Sequence, residues 1–220
     1  MRFSFKAVLF DMDGTITDST PFHDLAWDQF AKAHLGAGIT PGDPRLVAGR
    51  TADVICALLG REVAGEAAQR LHDDKEQRFQ AIAHGKLKPI NGLGHYLALL
   101  AERGIPAALV TNAPRINIDF TLAQLRLENA FEVLLGAEDV LRGKPHPDPF
   151  LEACRRLGVA PEAALVHEDS GLGIRAGVAA GAPVAALLTG LSATAARQAG
   201  ARWVARDYDD WCTQIAAAIA

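Results

Sequence analysis

Cysteine is scarce in this 220-residue chain, which contains only Cys56, Cys154 and Cys212. Three widely spaced thiols form neither a metal-binding signature nor an even set for disulfide bonds. We therefore interpret them as small buried hydrophobic residues in a reducing compartment.

A signal peptide, a membrane-spanning run and an excess of basic charge are likewise not expected from this sequence. The apolar stretch near the N-terminus ends at Asp11, which makes it too short for a signal peptide, and no run is long enough to cross a bilayer. The net charge is -4 and the lysines and arginines are scattered, unlike the basic footprint of nucleic-acid-binding proteins. These absences predict a cytoplasmic protein without membrane or nucleic-acid partners, either a monomer or a small homo-oligomer.

Short apolar runs, each stopped by polar residues or glycine, recur along the chain. They occupy positions 7–10, 107–110, 133–135, 164–166 and 184–188. Helical apolar spacing lies between several of them, and Pro147 and Gly158 bracket one such helix. Alternating buried strands and helices are typical of an α/β protein with a doubly wound parallel sheet.

The stretch from 20 to 88 breaks this alternation because it contains no convincing strand. Its apolar spacing predicts helices, and Thr51 is expected to cap the one that runs to Leu59. Pro89 and Gly92 mark the return to the alternating pattern. We therefore predict a core made of residues 1–19 and 89–220, with an all-helical cap formed by 20–88.

Polar side chains follow the predicted strands at the edge where open parallel sheets bind ligands. The candidate residues are Asp11, Asp13, Thr111, Asn112, Glu168 and Asp169, with Lys144 on a loop before a helix. Crowded carboxylates raise one another's pKa values unless a cation lies between them, and Mg²⁺ prefers oxygen ligands. A nucleophile, a metal site and fixed donors for phosphate oxygens are the parts that phosphoryl transfer requires.

Each of these motifs has a simpler interpretation when it is taken alone. Asp-x-Asp-Gly is common in turns, Thr-Asn and Glu-Asp-Ser are common helix caps, and a single lysine is usually solvated. A calcium-binding EF-hand loop is excluded by spacing, because Gly14 is the fourth residue from Asp11 instead of the sixth. The functional interpretation depends on all of the motifs meeting at one sheet edge.

Taken together, these segments resemble the haloacid dehalogenase superfamily, in the subgroup of sugar phosphatases and β-phosphoglucomutases with a helical cap. The resemblance covers nearly the whole chain, in the order of that family. The matching segments are 10–19, 110–112, 143–149, 167–170, 173–174 and 179–181, with a histidine-to-tryptophan pattern at His23 and Trp27.

The resemblance implies a role for each site residue. Asp11 attacks phosphorus and forms an aspartyl-phosphate, while Asp13 protonates the leaving oxygen and later deprotonates water. Mg²⁺ is held by Asp11, the backbone carbonyl of Asp13 and Asp169, with Glu168 beside it. The phosphoryl oxygens are held by Thr111 and Lys144, with support from Asn112.

Within the family, an aspartate at position 13 favours a phosphatase or a phosphomutase that acts on small phosphorylated metabolites. The β-phosphoglucomutase pattern has a cap lysine where this chain has Ala48, which favours hydrolysis over mutase chemistry. His23 is expected either to contact substrate or to support the cap hinge. Arg50 is expected to bind a distal anionic or hydroxyl group of the substrate, the alternative being an ordinary surface arginine. A β-phosphoglucomutase-like isomerase is the alternative, followed by a phospho-receiver signalling domain, which lacks a helical insert.

Overall fold

In this computed structural model, which describes residues 5–47 and 49–219, six strands form one entirely parallel sheet. The spatial order is β3-β2-β1-β4-β5-β6. The strands are β1 (Ala7–Phe10), β2 (Ala107–Val110), β3 (Val133–Leu135), β4 (Ala164–Glu168), β5 (Val184–Leu187) and β6 (Trp203–Ala205). The predicted α/β doubly wound fold is therefore confirmed.

Helices cover both faces of the sheet because successive residues of each strand point to opposite faces. Val8 and Phe10 pack on one face, while Ala7 and Leu9 pack on the other. The first face contacts α4 (Leu93–Glu102), α5 (Arg115–Leu125) and α9 (Tyr208–Ile219). The second contacts α6 (Asp148–Leu157), α7 (Gly171–Ala179) and α8 (Ala193–Ala199).

The described residues between 20 and 88 form helices without sheet strands. They are α1 (Thr20–Leu35), a short 3₁₀ helix (Pro44–Val47), α2 (Thr51–Leu59) and α3 (Gly65–Ala83). Trp27, Phe30, Val54, Ile55 and Leu58 give this segment a hydrophobic cluster of its own. None of the described helices combines the length and apolar character required to span a bilayer.

The cap assignment of Thr51 is wrong. Helix α2 starts at Thr51 itself, and Arg50 occupies the N-cap position. The Thr51 hydroxyl instead donates a hydrogen bond of 2.6 Å to Glu76 Oε1 on α3. The Thr51 side chain, which the local sequence favours as an N-cap, is therefore used in a tertiary hydrogen bond instead.

The helical segment leaves and rejoins the sheet at one place. Thr17 forms an isolated bridge with Pro89, and its hydroxyl donates to the carbonyl of Lys88 at 2.7 Å. The amide of Ile90 donates to the carbonyl of Ile16 at 3.0 Å. These bonds join the outgoing and returning chains beside the carboxyl edge of β1.

Candidate active site

The candidate site lies where β1 and β4 are neighbours and the strand order changes direction. The connections that follow β1 and β4 run towards opposite edges of the sheet, and a crevice therefore opens at the carboxyl ends of these two strands. Asp11 directly follows β1, Thr111 follows β2 and Glu168 ends β4. The sequence-predicted core residues are therefore brought together as expected from the topology.

Lys144 is the buried cation of this site. Its Nζ donates to Asp11 Oδ1 at 2.5 Å, Glu168 Oε1 at 2.6 Å and the carbonyl of Val110 at 2.7 Å. Burial alone would lower the pKa of Lys144, but the two carboxylates outweigh it and raise the pKa to about 12. All three ammonium protons are used, so Lys144 ties β1, β2 and β4 together at one point.

Three buried carboxylates surround this single ammonium group. One oxygen each of Asp11, Glu168 and Asp169 lies within 4.8 Å of the others. Burial and the charge of Glu168 raise the pKa of Asp11 to about 8, and the same two causes raise the pKa of Asp169 well above its ordinary value. Ionisation of these crowded carboxyl groups is therefore unfavourable without a further positive charge, and a hard divalent cation held by oxygen ligands would supply it.

Glu168 is oriented by the turn that follows it. Its Oε2 accepts hydrogen bonds from the backbone amides of Asp169 and Ser170 and from the Ser170 hydroxyl, at 3.0–3.2 Å. Oε1 is taken by Lys144. In contrast, the Asp169 side chain accepts no hydrogen bond within residues 5–47 and 49–219, which leaves its oxygens available as ligands.

Two glycines allow this close packing of carboxylates. A Cβ atom at Gly14, which has a φ of 79°, would lie 2.0 Å from Asp169 Oδ2. A Cβ atom at Gly173 would lie 1.7 Å from Glu168 Oε1. Neither position can accept a side chain without displacing a carboxylate of the cluster.

Thr111 and Asn112 differ in how many of their side-chain donors and acceptors form hydrogen bonds within the protein. Thr111 Oγ1 accepts from the amide of Ala113 at 3.0 Å, which leaves its proton free to donate into the cavity. Asn112 pairs with the backbone of Lys144 through both side-chain atoms, at 2.9 and 3.1 Å. Asn112 therefore holds the Lys144 loop against β2.

Asp13 lies on the other side of Asp11, next to α1. Its Oδ1 accepts from Ser19 Oγ at 2.5 Å and faces His23 Nε2 at 3.3 Å. Burial would raise the pKa of Asp13, but His23, Ser19 and Lys75 together lower it. In this arrangement Asp13 is ionised at neutral pH.

The tautomer of His23 follows from its second neighbour. Lys75 Nζ lies 3.0 Å from His23 Nδ1, and an ammonium group can only donate. Nδ1 therefore accepts, so Nε2 carries the proton that points to Asp13. The imidazole also stacks on Phe79, with a centroid distance of 3.8 Å and an interplanar angle of 5°.

Lys75 and Glu76 are site residues that the sequence analysis missed. Lys75 donates to Glu76 Oε2 at 2.9 Å, and Asn117 Nδ2 on α5 donates to the same oxygen at 2.7 Å. Burial opposes ionisation of Glu76, but Lys75 and Thr51 hold its pKa below the ordinary value. The available signal was helical spacing, since positions 75 and 76 fall on the face of α3 that also carries buried Phe79 and Ala83.

Arg50 is the predicted substrate contact that the structure places elsewhere. Its guanidinium donates to the carbonyls of Val140 at 2.8 Å and Leu141 at 3.1 Å. It does not line the cavity. Ala48, whose identity favours hydrolysis over mutase chemistry, lies outside the described residues.

A cavity of about 660 Å³ separates the sheet edge from the helical segment. Its floor includes Asp11, Asp13, Thr111, Lys144 and Asp169. Its opposite wall includes His23, Trp27, Thr51, Lys75 and Glu76. The arrangement can therefore enclose a small molecule between a carboxylate cluster and a polar helical wall.

Comparisons with known proteins agree with this geometry. A family model described as haloacid dehalogenase-like hydrolase matches residues 5–181. Hexitol phosphatase A of Escherichia coli is 34% identical over 190 residues, covering 83% of this chain and 82% of that protein. N-acetylmuramic acid 6-phosphate phosphatase of Pseudomonas aeruginosa is 30% identical over 193 residues, covering 86% and 84%.

The fold is also similar to solved structures. A putative β-phosphoglucomutase from Bacteroides vulgatus superimposes with a TM-score of 0.82 at 28% identity. The alignment covers 99% of this chain and 91% of that one. Both the sheet and the helical segment therefore have counterparts in proteins of similar length.

Proposed function

The chain belongs to the haloacid dehalogenase-like hydrolases and is a phosphoric monoester hydrolase. From this we propose that it hydrolyses small phosphorylated metabolites, such as sugar phosphates. We further propose that the reaction uses Mg²⁺ and proceeds through an aspartyl-phosphate intermediate. The observation that carries this proposal is the position of Asp11. Its carboxylate is paired with Lys144 on the cavity floor and forms the buried cluster with Glu168 and Asp169.

In the proposed first half-reaction, Asp11 attacks phosphorus, and a carboxylate-to-phosphorus bond forms as the ester bond to the leaving oxygen breaks. Asp13 donates a proton to that oxygen. A bound phosphate dianion raises the pKa of a neighbouring carboxyl group, so substrate binding itself favours proton uptake by Asp13. Thr111 donates its free hydroxyl proton to a phosphoryl oxygen, and Lys144 neutralises charge beside it.

In the second half-reaction, ionised Asp13 removes a proton from a water molecule whose oxygen forms a bond to phosphorus. The bond between Asp11 and phosphorus breaks at the same time, which releases phosphate and restores the Asp11 carboxylate. His23 keeps Asp13 oriented through its Nε2 proton, and Lys75 fixes the tautomer. The residues that fit a divalent cation are Asp11 and Asp169, together with the backbone carbonyl of Asp13, with Glu168 alongside. A bound Mg²⁺ supplies charge neutralisation for the phosphoryl oxygens.

The proposal also divides the chain into a catalytic core, 1–19 and 89–220, and a substrate-covering cap, 20–88. The cap has its own hydrophobic cluster, and the cavity lies between it and the sheet edge. A cytoplasmic, reducing location is supported by the unpaired state of Cys56, Cys154 and Cys212. Closure of such a cap excludes water from the reacting groups.

The test is phosphate release from a panel of sugar and polyol phosphates, with Mg²⁺ and with a chelator, using Asp11→Asn as the matched inactive control. We expect release that requires the cation and falls by about 10⁴-fold or more in Asp11→Asn. Absence of release across the panel would contradict the proposal. Conversion of β-glucose 1-phosphate to the 6-phosphate faster than phosphate release would indicate the mutase instead. Stable phosphorylation without turnover would indicate a receiver.

A further inference from the structure

Helix α1 presents one face to the cavity. Thr20, His23, Asp24 and Trp27 line it, with the spacing of residues on one side of a helix. His23 is occupied by Asp13 and Lys75. Asp24 is partly buried, and within residues 5–47 and 49–219 its carboxylate has no hydrogen bond or ion pair. Burial raises the pKa of Asp24, and the neighbouring His23 offsets this rise only in part.

Within the described residues, Lys75 is the cation that lines this wall, and it is bonded to Glu76 and His23. Arg50 does not line the cavity: its guanidinium donates to carbonyls of the loop at 140–141, and its Nε is buried without a hydrogen-bond partner. The described residues that line the cap side therefore offer no unpaired positive charge to a second anionic group of a substrate. Arg175, an exposed residue of α7, is the lining cation that has no ion pair in the described part of the chain, and it belongs to the core wall.

The remaining groups on this side suit a neutral, hydroxylated ligand. Thr51 donates to Glu76, so its hydroxyl oxygen is free to accept. Asn117 has used one amide proton on Glu76 and keeps a second. Trp27 contributes an aromatic surface, and Leu46 and Val54 add apolar contacts. The alternating hydroxyl and C–H groups of a sugar or polyol can form hydrogen bonds and apolar contacts with these residues. A second anionic group would instead face the carboxylate of Asp24.

We infer that the cavity selects phosphomonoesters whose far end is neutral and hydroxylated, and that Asp24 disfavours substrates with a second anionic group. This inference rests on the proposed function and deepens it. It names Asp24 as a specificity-determining residue, which acts by like-charge repulsion on a part of the substrate remote from phosphorus.

The experiment compares glucitol 6-phosphate with 6-phosphogluconate, which differ only in a hydroxymethyl or a carboxylate group at C1. We expect kcat/KM to be about tenfold higher for glucitol 6-phosphate. Repulsion between the Asp24 carboxylate and the carboxylate of 6-phosphogluconate, in a partly hydrated cavity, has an effect of this size. Asp24→Asn should reduce this ratio about fivefold by improving use of 6-phosphogluconate. Asp73→Asn, which removes an exposed carboxylate outside the cavity, is the matched control and should leave the ratio unchanged.

Calorimetric binding of both compounds to Asp11→Asn tests the same preference without turnover. If neither compound is hydrolysed but the neutral one binds more tightly, the proposed function fails and the inference stands. If both are hydrolysed with equal kcat/KM, the inference fails and the proposed function stands. A preference for 6-phosphogluconate that is lost in Arg175→Gln would overturn the inference. Failure of both compounds to bind would overturn it as well.

Discussion

His23 Nε2 lies 3.3 Å from Asp13 Oδ1 and carries the proton between them, because Lys75 occupies the other ring nitrogen at 3.0 Å. Three residues from separate parts of the sequence thus form one polar chain. It begins at the buried Lys75–Glu76 ion pair of α3 and ends at the proposed acid/base. The state of the helical segment is thereby connected to the orientation of Asp13.

Replacing Lys75 with methionine tests this connection. The change leaves Glu76 buried without a counter-ion, so we expect a loss of about 3–5 kcal/mol in the free energy of unfolding, measured by urea denaturation. Lys75→Met combined with Glu76→Gln should recover much of that stability but not the rate of phosphate release, because His23 still lacks its donor. Recovery of both quantities in the double variant would show that Lys75 acts only through folding.

Asp13→Asn tests the proton-transfer role. The amide keeps the shape of the side chain but cannot protonate the leaving oxygen or accept a proton from water. We expect turnover to fall by about 10²–10⁴-fold. The variant should accumulate phosphorylated protein when it is mixed with a reactive phosphate ester, detected as an added phosphoryl mass. Asp11→Asn/Asp13→Asn is the control, and labelling of that double variant would place the phosphoryl group on another residue.

Gly173→Ala tests the packing of α7 against Glu168. The new Cβ would lie 1.7 Å from Glu168 Oε1, so the carboxylate must move away from Lys144. We expect a loss of about 1–3 kcal/mol in stability and a marked loss of activity. Gly94→Ala on α4, where a Cβ meets nothing within 4 Å, is the matched control and should stabilise by about 0.5–1 kcal/mol. Equal effects of the two substitutions would contradict this account.

His167 gives a prediction about pH. Burial lowers the pKa of this side chain to about 3 in the folded chain, against 6.5 ordinarily. Below pH 6.5 the unfolded chain takes up a proton that the folded chain does not, so stability falls as the pH falls towards 3. Between pH 7 and 5 the wild type should lose about 2 kcal/mol more than His167→Phe in urea denaturation. Parallel pH profiles for the two proteins would show that His167 does not carry this dependence.

Local pattern was enough to predict the architecture of the sheet. Runs such as Ala7–Phe10 and Ala107–Val110 are apolar on both faces, and the structure buries them on both faces, as a central parallel strand requires. Strand β6, Trp203–Ala205, was not predicted from the sequence, although β3 at the opposite edge is equally short and was. Gly158 ends α6 in the left-handed conformation, as its position after a helical pattern predicts.

The residues at the centre of the site could be predicted from the sequence for the same reason. Asp11, Thr111 and Glu168 are placed by the ends of adjacent strands, so topology alone predicts that they meet. The contacts of Lys75 and Arg50 depend on how helices cross, which a single sequence does not encode in any local period. Lys75 reaches His23 across 52 positions and Arg50 reaches the loop at 140–141 across about 90, so these partners become visible only in three dimensions.

The bridge between Thr17 and Pro89 makes the helical segment an excursion with its two ends side by side. A chain that departs and returns at one point can exchange the whole excursion for another of different length without altering strand register. The helical segment can therefore change in length and sequence over evolution while the sheet is retained. The constraint on such changes is that the new segment must still place a group against Asp13, as His23 and Lys75 do here.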